Sequence, residues 1–298
     1  MQVKANHIDI EVDDTGADGS QAARPAVLLI MGLGMQLIEW PQALVQSLVD
    51  AGYRVIRFDN RDIGLSQHFD ALGAPNVFWT AMKLRLGVPV RPPYSLRDMA
   101  LDAVGVLDAL GLQKAHVVGA SMGGMIAQRV ALAAPERVLS LTSIMSSSGA
   151  RKLPPPRQDV LRMMLRRPLN PDHDVLVEHA VKLLQAIGSP GFPRPDAEIR
   201  DSVTEAMQRS FHPVGTLRQM VAVGVDVTRA LELANARTPT LVLHGRADPL
   251  VPYACGEDTA RRIQGARLVG IDGMGHDLPP GVVERLLAEM LPHLQQHS

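Results

Sequence analysis

The chain has 298 residues, 46% of them hydrophobic and 20% charged, which supplies a sizeable core and fits one domain with an insertion or two small domains. Its formal net charge of -1 leaves no basic excess to point to nucleic acid and no broad field to select a charged partner. Cys255 is the only cysteine, which excludes a disulfide framework and a thiolate-rich metal site.

Met1–Asp14 is short, mixed and charged, with no basic stretch followed by an apolar run, so it does not read as a signal peptide. The longest apolar runs, such as Ala26–Gly34, are too short to span a bilayer. The expectation is a cytoplasmic protein with neither membrane nor nucleic acid as partner. Val3–Val12 fits leading antiparallel strands, and Ala26–Ile30 a buried strand. Pro41 then opens a helix with Leu44, Val45, Leu48 and Val49 on one face. Tyr53–Phe58 reads as a strand, Leu96–Leu110 as a helix ended by Gly111, Ala115–Gly119 as a strand, Gly123–Ala134 as a helix and Val138–Met145 as a strand. This alternation argues for an α/β protein with a parallel sheet covered by helices.

The pattern breaks from Leu153 to Ala236. Pro154–Pro156, Pro168, Pro171, Pro190, Pro193 and Pro195 punctuate short helical segments, and Leu176, Ala180, Leu183, Leu184 and Ile187 form the clearest apolar stripe. Alternation returns with a strand at Thr240–His244, a helix at Cys255–Gln264, a strand at Arg267–Ile271 and an amphipathic helix at Val282–Leu294. Within the helical region, Leu153, Met163, Met164, Met207, Phe211, Leu217 and Met220 read mainly as helix-packing residues, though methionines also suit an irregular apolar pocket.

Gly119-Ala120-Ser121-Met122-Gly123 matches G-x-S-x-G, in which a serine sits on a tight strand-to-helix turn. Side chains at the two glycines would collide with the neighbouring strand and helix. The helix that follows points its N-terminus at the reaction centre, which favours developing negative charge. Chance yields about 0.1 such matches in a chain this long, so the context decides: an apolar strand stands immediately before and a helical pattern immediately after. Otherwise Ser121 would be a passive residue in a glycine turn.

A serine hydroxyl needs a base, and after this motif an acid and then a histidine follow along the chain. His276, in Gly273-Met274-Gly275-His276 straight after the last strand, is the expected base, against the alternative of a surface-loop histidine. His244 is its rival, while His293 and His297 read as solvated. Asp248, after the preceding strand, is the expected acid rather than a mere turn or cap residue. Asp226 and Asp272 are the alternatives.

Two N–H donors for an oxyanion are expected from Met122 and from the loop Met31-Gly32-Leu33-Gly34, with Leu33 first and Gly34 next. That loop lacks the third glycine and the spaced acid of a dinucleotide site. Cys255 reads as a small apolar residue rather than a nucleophile. His173, between Asp172 and Asp174, reads as a helix start rather than a metal ligand.

With these segments in hand, the chain resembles the α/β-hydrolase superfamily over nearly its whole length, and within it the aclacinomycin methylesterase-like carboxylesterases. The resemblance rests on Met31–Gly34, Arg57–Ser66, Val117–Gln128, Leu241–Pro249 and Gly273–Pro279. It implies a mostly parallel eight-stranded sheet forming a core of residues 1–148 and 237–298. It also implies a helical cap, 149–236, inserted after the sixth strand, and ester hydrolysis without a cofactor or metal. Many relatives carry His-Gly where this chain has Met31-Gly32, so the second oxyanion donor is less fixed than the first. Asp59–Ser66 is expected to shape the sheet end, with no catalytic role for Asp59, Arg61 or Asp62.

The leading functional expectation is a serine hydrolase acting on a small-molecule ester, with an apolar acyl or aromatic group. A cofactor-free perhydrolase of the haloperoxidase type and a carbon–carbon bond hydrolase would use the same three residues. Epoxide hydrolases and dehalogenases are disfavoured because they place an aspartate where this chain has Ser121. A non-catalytic ligand-binding protein on the same fold is the alternative of another class.

Overall fold

Eight strands form one sheet: β1 (Gln2–Ala5), β2 (Ile8–Asp14), β3 (Ala26–Ile30), β4 (Arg54–Phe58), β5 (Ala115–Ala120), β6 (Val138–Ile144), β7 (Thr240–Gly245) and β8 (Arg267–Ile271). Their order across the sheet is β1-β2-β4-β3-β5-β6-β7-β8. Only the pairings of β2, with β1 and β4, are antiparallel; the rest are parallel. The computed structural model describes residues 1–21, 23–165 and 172–298. Pro168 and Pro171, expected as breaks in the helical region, lie outside the described residues.

Burial explains the strand sequences. β3, β5 and β7 are buried at every position and read as continuous runs, because helices cover both faces of a parallel sheet. β2, nearer the edge, alternates buried and half-buried residues. One face is covered by α1 (Gln42–Asp50) and the C-terminal helix (Pro280–Gln296), through Leu44, Leu48, Val282 and Leu286. The other is covered by the helices at Leu96–Ala109 and Met122–Ala133, through Val106, Leu107, Ile126 and Val130. Ser95 and Asp98 form a reciprocal capping box at the start of the former.

In chain order these helices are α1, α2 (Val77–Arg85), α3 (Leu96–Ala109) and α4 (Met122–Ala133). Then come α5 (Gln158–Leu165), α6 (His173–Ile187), α7 (Asp196–Arg209), α8 (Pro213–Val225) and α9 (Arg229–Glu232), all between β6 and β7. Last are α10 (Tyr253–Arg262) and α11 (Pro280–Gln296). Among the described residues no strand falls between β6 and β7, as the loss of alternation there implies. Helix α2 has no counterpart in the sequence reading.

Two expectations need correction. On α6 the buried line is Val177, Val181 and Ile187, with Val177 and Val181 packed on Ile199 and Val203 of α7. The stripe expected at Leu176, Ala180, Leu183, Leu184 and Ile187 is only half-buried except at Ile187. Both rows are apolar and lie side by side, so the neighbouring helix, not the periodicity, chooses between them. His293, expected in solvent, is 8% exposed and lies on the packed side of α11 with Met290 and Leu294. His297 is half-buried, its ring edge-on to that of His293.

Burial pushes His293 down to about 4, with the charge of His297 adding to the effect. His116, the second residue of β5, beside Ser140 Oγ, is likewise pushed down to about 4 by burial and then by His293 and His297. Their unfolded values lie near 6.5, so the unfolded chain binds more protons between about 4 and 6.5. The stability these groups contribute is therefore complete above about 6.5 and falls as pH drops toward 4. Each costs up to about 2 kcal/mol at pH 5. His293→Leu is expected to reduce the drop in urea midpoint between pH 7 and pH 5; an unchanged drop would refute this account.

Candidate active site

The sheet's carboxyl edge is where side chains from separate loops converge, because every parallel strand ends there and hands the chain to a loop. Ser121 sits at the turn from β5 into α4 with φ 55° and ψ -120°, a backbone region unusual for a side-chain-bearing residue. Its N–H donates to Ile144 O at 2.9 Å, and its carbonyl accepts from Ser146 Oγ at 2.7 Å.

The glycines around it are steric necessities. A Cβ on Gly119 would lie 2.1 Å from Gly123 O, and one on Gly123 would lie 1.9 Å from Ile30 O of β3. The sequence reading did not single out Gly124, where a Cβ would lie 2.6 Å from Ser146 Cβ.

His276 follows β8. Its Nε2 lies 2.9 Å from Ser121 Oγ, and its Nδ1 lies 2.7 Å from Asp248 Oδ2. Asp248 follows β7 and is 6% exposed; its Oδ1 accepts from Leu250 N–H at 2.9 Å and Val251 N–H at 2.8 Å. A carboxylate only accepts, so His276 donates through Nδ1–H, which leaves Nε2 to accept the Ser121 hydroxyl proton. Three chain segments thus meet in one hydrogen-bonded line.

His244 does not join that line. It is fully buried, and its Nε2–H donates to Val251 O at 2.7 Å while lying 3.6 Å from Asp248 Oδ2. Burial holds its basicity down against the opposing pull of the Asp248 charge. The ring lies beside the same Asp248 oxygen that His276 engages, but beyond hydrogen-bond reach of it. The four-residue spacing from strand end to acid was the available signal for this placement.

Asp226 is enclosed by Arg129 and Arg229, and Asp272 pairs with Arg246 at the surface. Neither contacts His276 among the described residues. The Cys255 thiol is buried and pushed up to about 11 by that burial, which suits a packing role.

The loop after β3 lies against the serine: a Cβ on Gly32 would be 3.3 Å from Ser121 Cβ. Gly34 N–H is occupied, donating to Gln219 Oε1 of α8 at 3.0 Å, while Gln219 Nε2 donates to Arg61 O at 2.9 Å. Among the described residues, the N–H groups of Leu33 and Met122 make no hydrogen bond within the chain. Asn60 Nδ2 donates to Met31 O at 2.9 Å and steadies the loop from below.

The Asp59–Ser66 loop ties the sheet end to its surroundings. Asp59 accepts from Leu37 N–H at 2.7 Å and from Arg209 Nη1 of α7 at 2.7 Å. Arg61 forms a two-point contact with Asp102 of α3, and Asp62 forms one with the fully buried Arg218 of α8.

The segment after α6 lies directly on the His276 loop. His276 N–H donates to Ile187 O at 2.7 Å, and Gly275 N–H donates to Ser189 Oγ at 2.8 Å. Ser189 Oγ–H in turn donates to Asp277 Oδ1 at 2.5 Å, and Gly191 N–H donates to Gly273 O at 2.9 Å. Burial raises the Asp277 carboxyl above its ordinary range. Nothing in the sequence marked Ser189 or Gly191 for this contact, since Gly and Ser in a loop are generic.

One set of potential metal ligands stands apart from this line: His68, Asp70 and His212 bring their ligand atoms within 4.8 Å of one another. The two rings stack at 3.8 Å with planes 2° apart, so their in-plane lone pairs run parallel rather than converging. His212 Nδ1–H donates to Asp62 O, and Nε2 faces Asp70 Oδ1 at 2.8 Å. His173 stands at the start of α6 with its side chain exposed, as expected.

The model of the alpha/beta hydrolase fold family matches residues 25–279, which takes in both oxyanion-loop candidates and all three residues of the hydrogen-bonded line. The chain belongs to the alpha/beta hydrolase family. It is similar to rhodomycin D methylesterase DauP of Streptomyces sp. (strain C5), at 33% identity over 92% of each chain. Rhodomycin D methylesterase DnrP of Streptomyces peucetius is also 33% identical, with the same coverage. Among solved structures, the meta-cleavage product hydrolase CumD of Pseudomonas fluorescens IP01 superposes with a TM-score of 0.74 over 100% of this hydrolase and 98% of that chain. At 19% identity, that likeness speaks to the fold alone. No helix of this hydrolase, among the described residues, is long and apolar enough to cross a membrane.

Proposed function

We propose that this protein hydrolyses carboxylic esters of small molecules, with Ser121 as nucleophile, His276 as general base and acid, and Asp248 as the group that orients His276. The observation that carries the reading is the continuous line from Ser121 Oγ to His276 Nε2, at 2.9 Å, and from His276 Nδ1 to Asp248, at 2.7 Å. The 33% identity to proteins named as methylesterases supports an ester as substrate.

In the first half-reaction Ser121 Oγ attacks the ester carbonyl carbon as its proton passes to His276 Nε2. The tetrahedral oxyanion is held by the N–H groups of Met122 and Leu33, at the positive end of α4. His276 then gives its proton to the departing alkoxide. Water, activated by the same imidazole, releases the acyl group from Ser121. The side chains and water account for every proton and bond, so the chemistry calls for no cofactor or metal.

The helices of residues 149–236 serve as a cap over a core of residues 1–148 and 237–298, and close the substrate space above the serine. A fluorophosphonate probe is expected to form a single adduct on Ser121 in the folded protein, read by peptide mass spectrometry. Absence of that adduct would reject the reading in favour of a non-catalytic binding protein.

A further inference from the structure

Helix α2 is mostly apolar and largely uncovered. Six of its nine residues are Val77, Phe78, Trp79, Ala81, Met82 and Leu84, yet none of the nine is buried. Phe78 is 68% exposed, Trp79 60% and, just beyond the helix, Leu86 73%. Leu72, Met82 and Val88 are exposed beside them. A contiguous exposed apolar surface of this kind marks an interaction site. The main packing of α2 is against α8, where Leu84 meets Gly224 and where Val77, Thr80 and Leu84 are half-buried.

Charge identifies the partner. From Ala71 to Arg97 the chain carries Lys83, Arg85, Arg91 and Arg97 and no acidic residue, although the protein as a whole has a net charge of -1. Arg97 is paired with Glu232, whereas Lys83, Arg85 and Arg91 have no ion pair among the described residues. A groove of about 450 Å³ beside α2, lined by Leu72, Pro75, Val90, Pro93 and Val221, also includes Arg91. Exposed Trp and Phe beside cations is the composition that settles at a lipid interface. A second copy of this chain is a poorer fit, because a two-fold contact through α2 would oppose Lys83 and Arg85 to their own equivalents.

We propose that α2 and the following segment to Arg91 dock this protein on the surface of an anionic lipid bilayer, with Phe78, Trp79 and Leu86 entering the interface and Lys83, Arg85 and Arg91 facing the headgroups. The helix is far too short to span, so this is surface attachment. The sequence-based expectation of no membrane partner weighed only spanning segments and a signal peptide. The proposal does not depend on ester hydrolysis, and its test is read without turnover.

The chain has two tryptophans, and Trp40 is 1% exposed, so Trp79 is the residue whose emission responds to a new environment. With vesicles of phosphatidylcholine and phosphatidylglycerol, the emission is expected to move to shorter wavelength and the protein to sediment with the lipid. Partitioning onto pure phosphatidylcholine should be roughly a hundredfold weaker, the loss expected when three cations no longer meet negative headgroups. Phe78→Ser/Leu86→Ser keeps Trp79 and should lower partitioning about tenfold or more. Lys83→Glu/Arg85→Glu should abolish the preference for anionic vesicles. No wavelength shift on anionic vesicles, or equal partitioning of wild type and both variants, overturns the proposal. An emission shift that grows with protein concentration without lipid assigns the surface to a second copy and also overturns it.

Discussion

Ser121→Ala is expected to lower kcat for p-nitrophenyl butyrate by about four to six orders of magnitude, with little change in KM. The substitution removes only Oγ, and the turn itself is held by backbone contacts that alanine retains: Ser121 N–H to Ile144 O, and the Ser121 carbonyl to Ser146 Oγ. The variant should therefore fold and unfold as the parent does. What disappears is the proposed nucleophile, the atom that would form the acyl bond. The residual rate should come from the N–H groups of Met122 and Leu33 and from substrate positioning, neither of which needs a nucleophile on the enzyme. Stopped assays with purified variant read this directly. Activity within tenfold of wild type would show that another residue carries the reaction.

The second large effect is expected for Asp248→Asn, a loss of about 10⁴-fold in kcat, by analogy with the same change in other serine hydrolases. The orientation of the new amide is dictated by the site. Leu250 and Val251 both donate N–H groups to Oδ1, so the asparagine carbonyl must stay there and its NH2 must face His276. An NH2 at Nδ1 obliges that nitrogen to accept, which moves the imidazole proton to Nε2. Nε2–H cannot take the proton of Ser121. Packing changes little, so unfolding by urea should shift far less than activity does. A variant that keeps a tenth of wild-type kcat would argue against Asp248 as the orienting acid.

Much of this was legible because it is written locally. The elbow announces itself through two glycines that cannot bear a Cβ, with an apolar strand before and a helix after. Asp248 and His276 are found by their order in the chain and by standing immediately after strands. The burial of β3, β5 and β7 on both faces leaves unbroken apolar runs that periodicity reads without ambiguity.

What was not legible depends on tertiary neighbours. Which of two adjacent apolar rows on α6 turns inward is settled by Ile199 and Val203 of α7. His293 looked solvated because histidine is tolerated on either side of a helix, and only the packing of α11 shows which side it takes. The sequence reading put Leu33 ahead of Gly34, but the contact that occupies Gly34, from Gln219 across a separation of 185 residues, follows from no short-range pattern. Helix α2 escaped notice because a short, mostly apolar stretch whose polar residues follow no helical period matches neither template.

The Ile187–Gly191 strap binds the fate of His276, the proposed general base, to a stretch of chain that lies among the helices between β6 and β7. His276 and Gly275 both donate backbone N–H groups into it, and Gly273 accepts one from it. Anyone exchanging the insertion for that of a relative, in order to change what the enzyme accepts, would also be replacing the mount of its imidazole. Chimeras that carry these five residues across unchanged, together with Arg209, Arg218 and Gln219, which hold the loops at the sheet end, should retain turnover, so productive splice points lie within α6 and just downstream of Gly191.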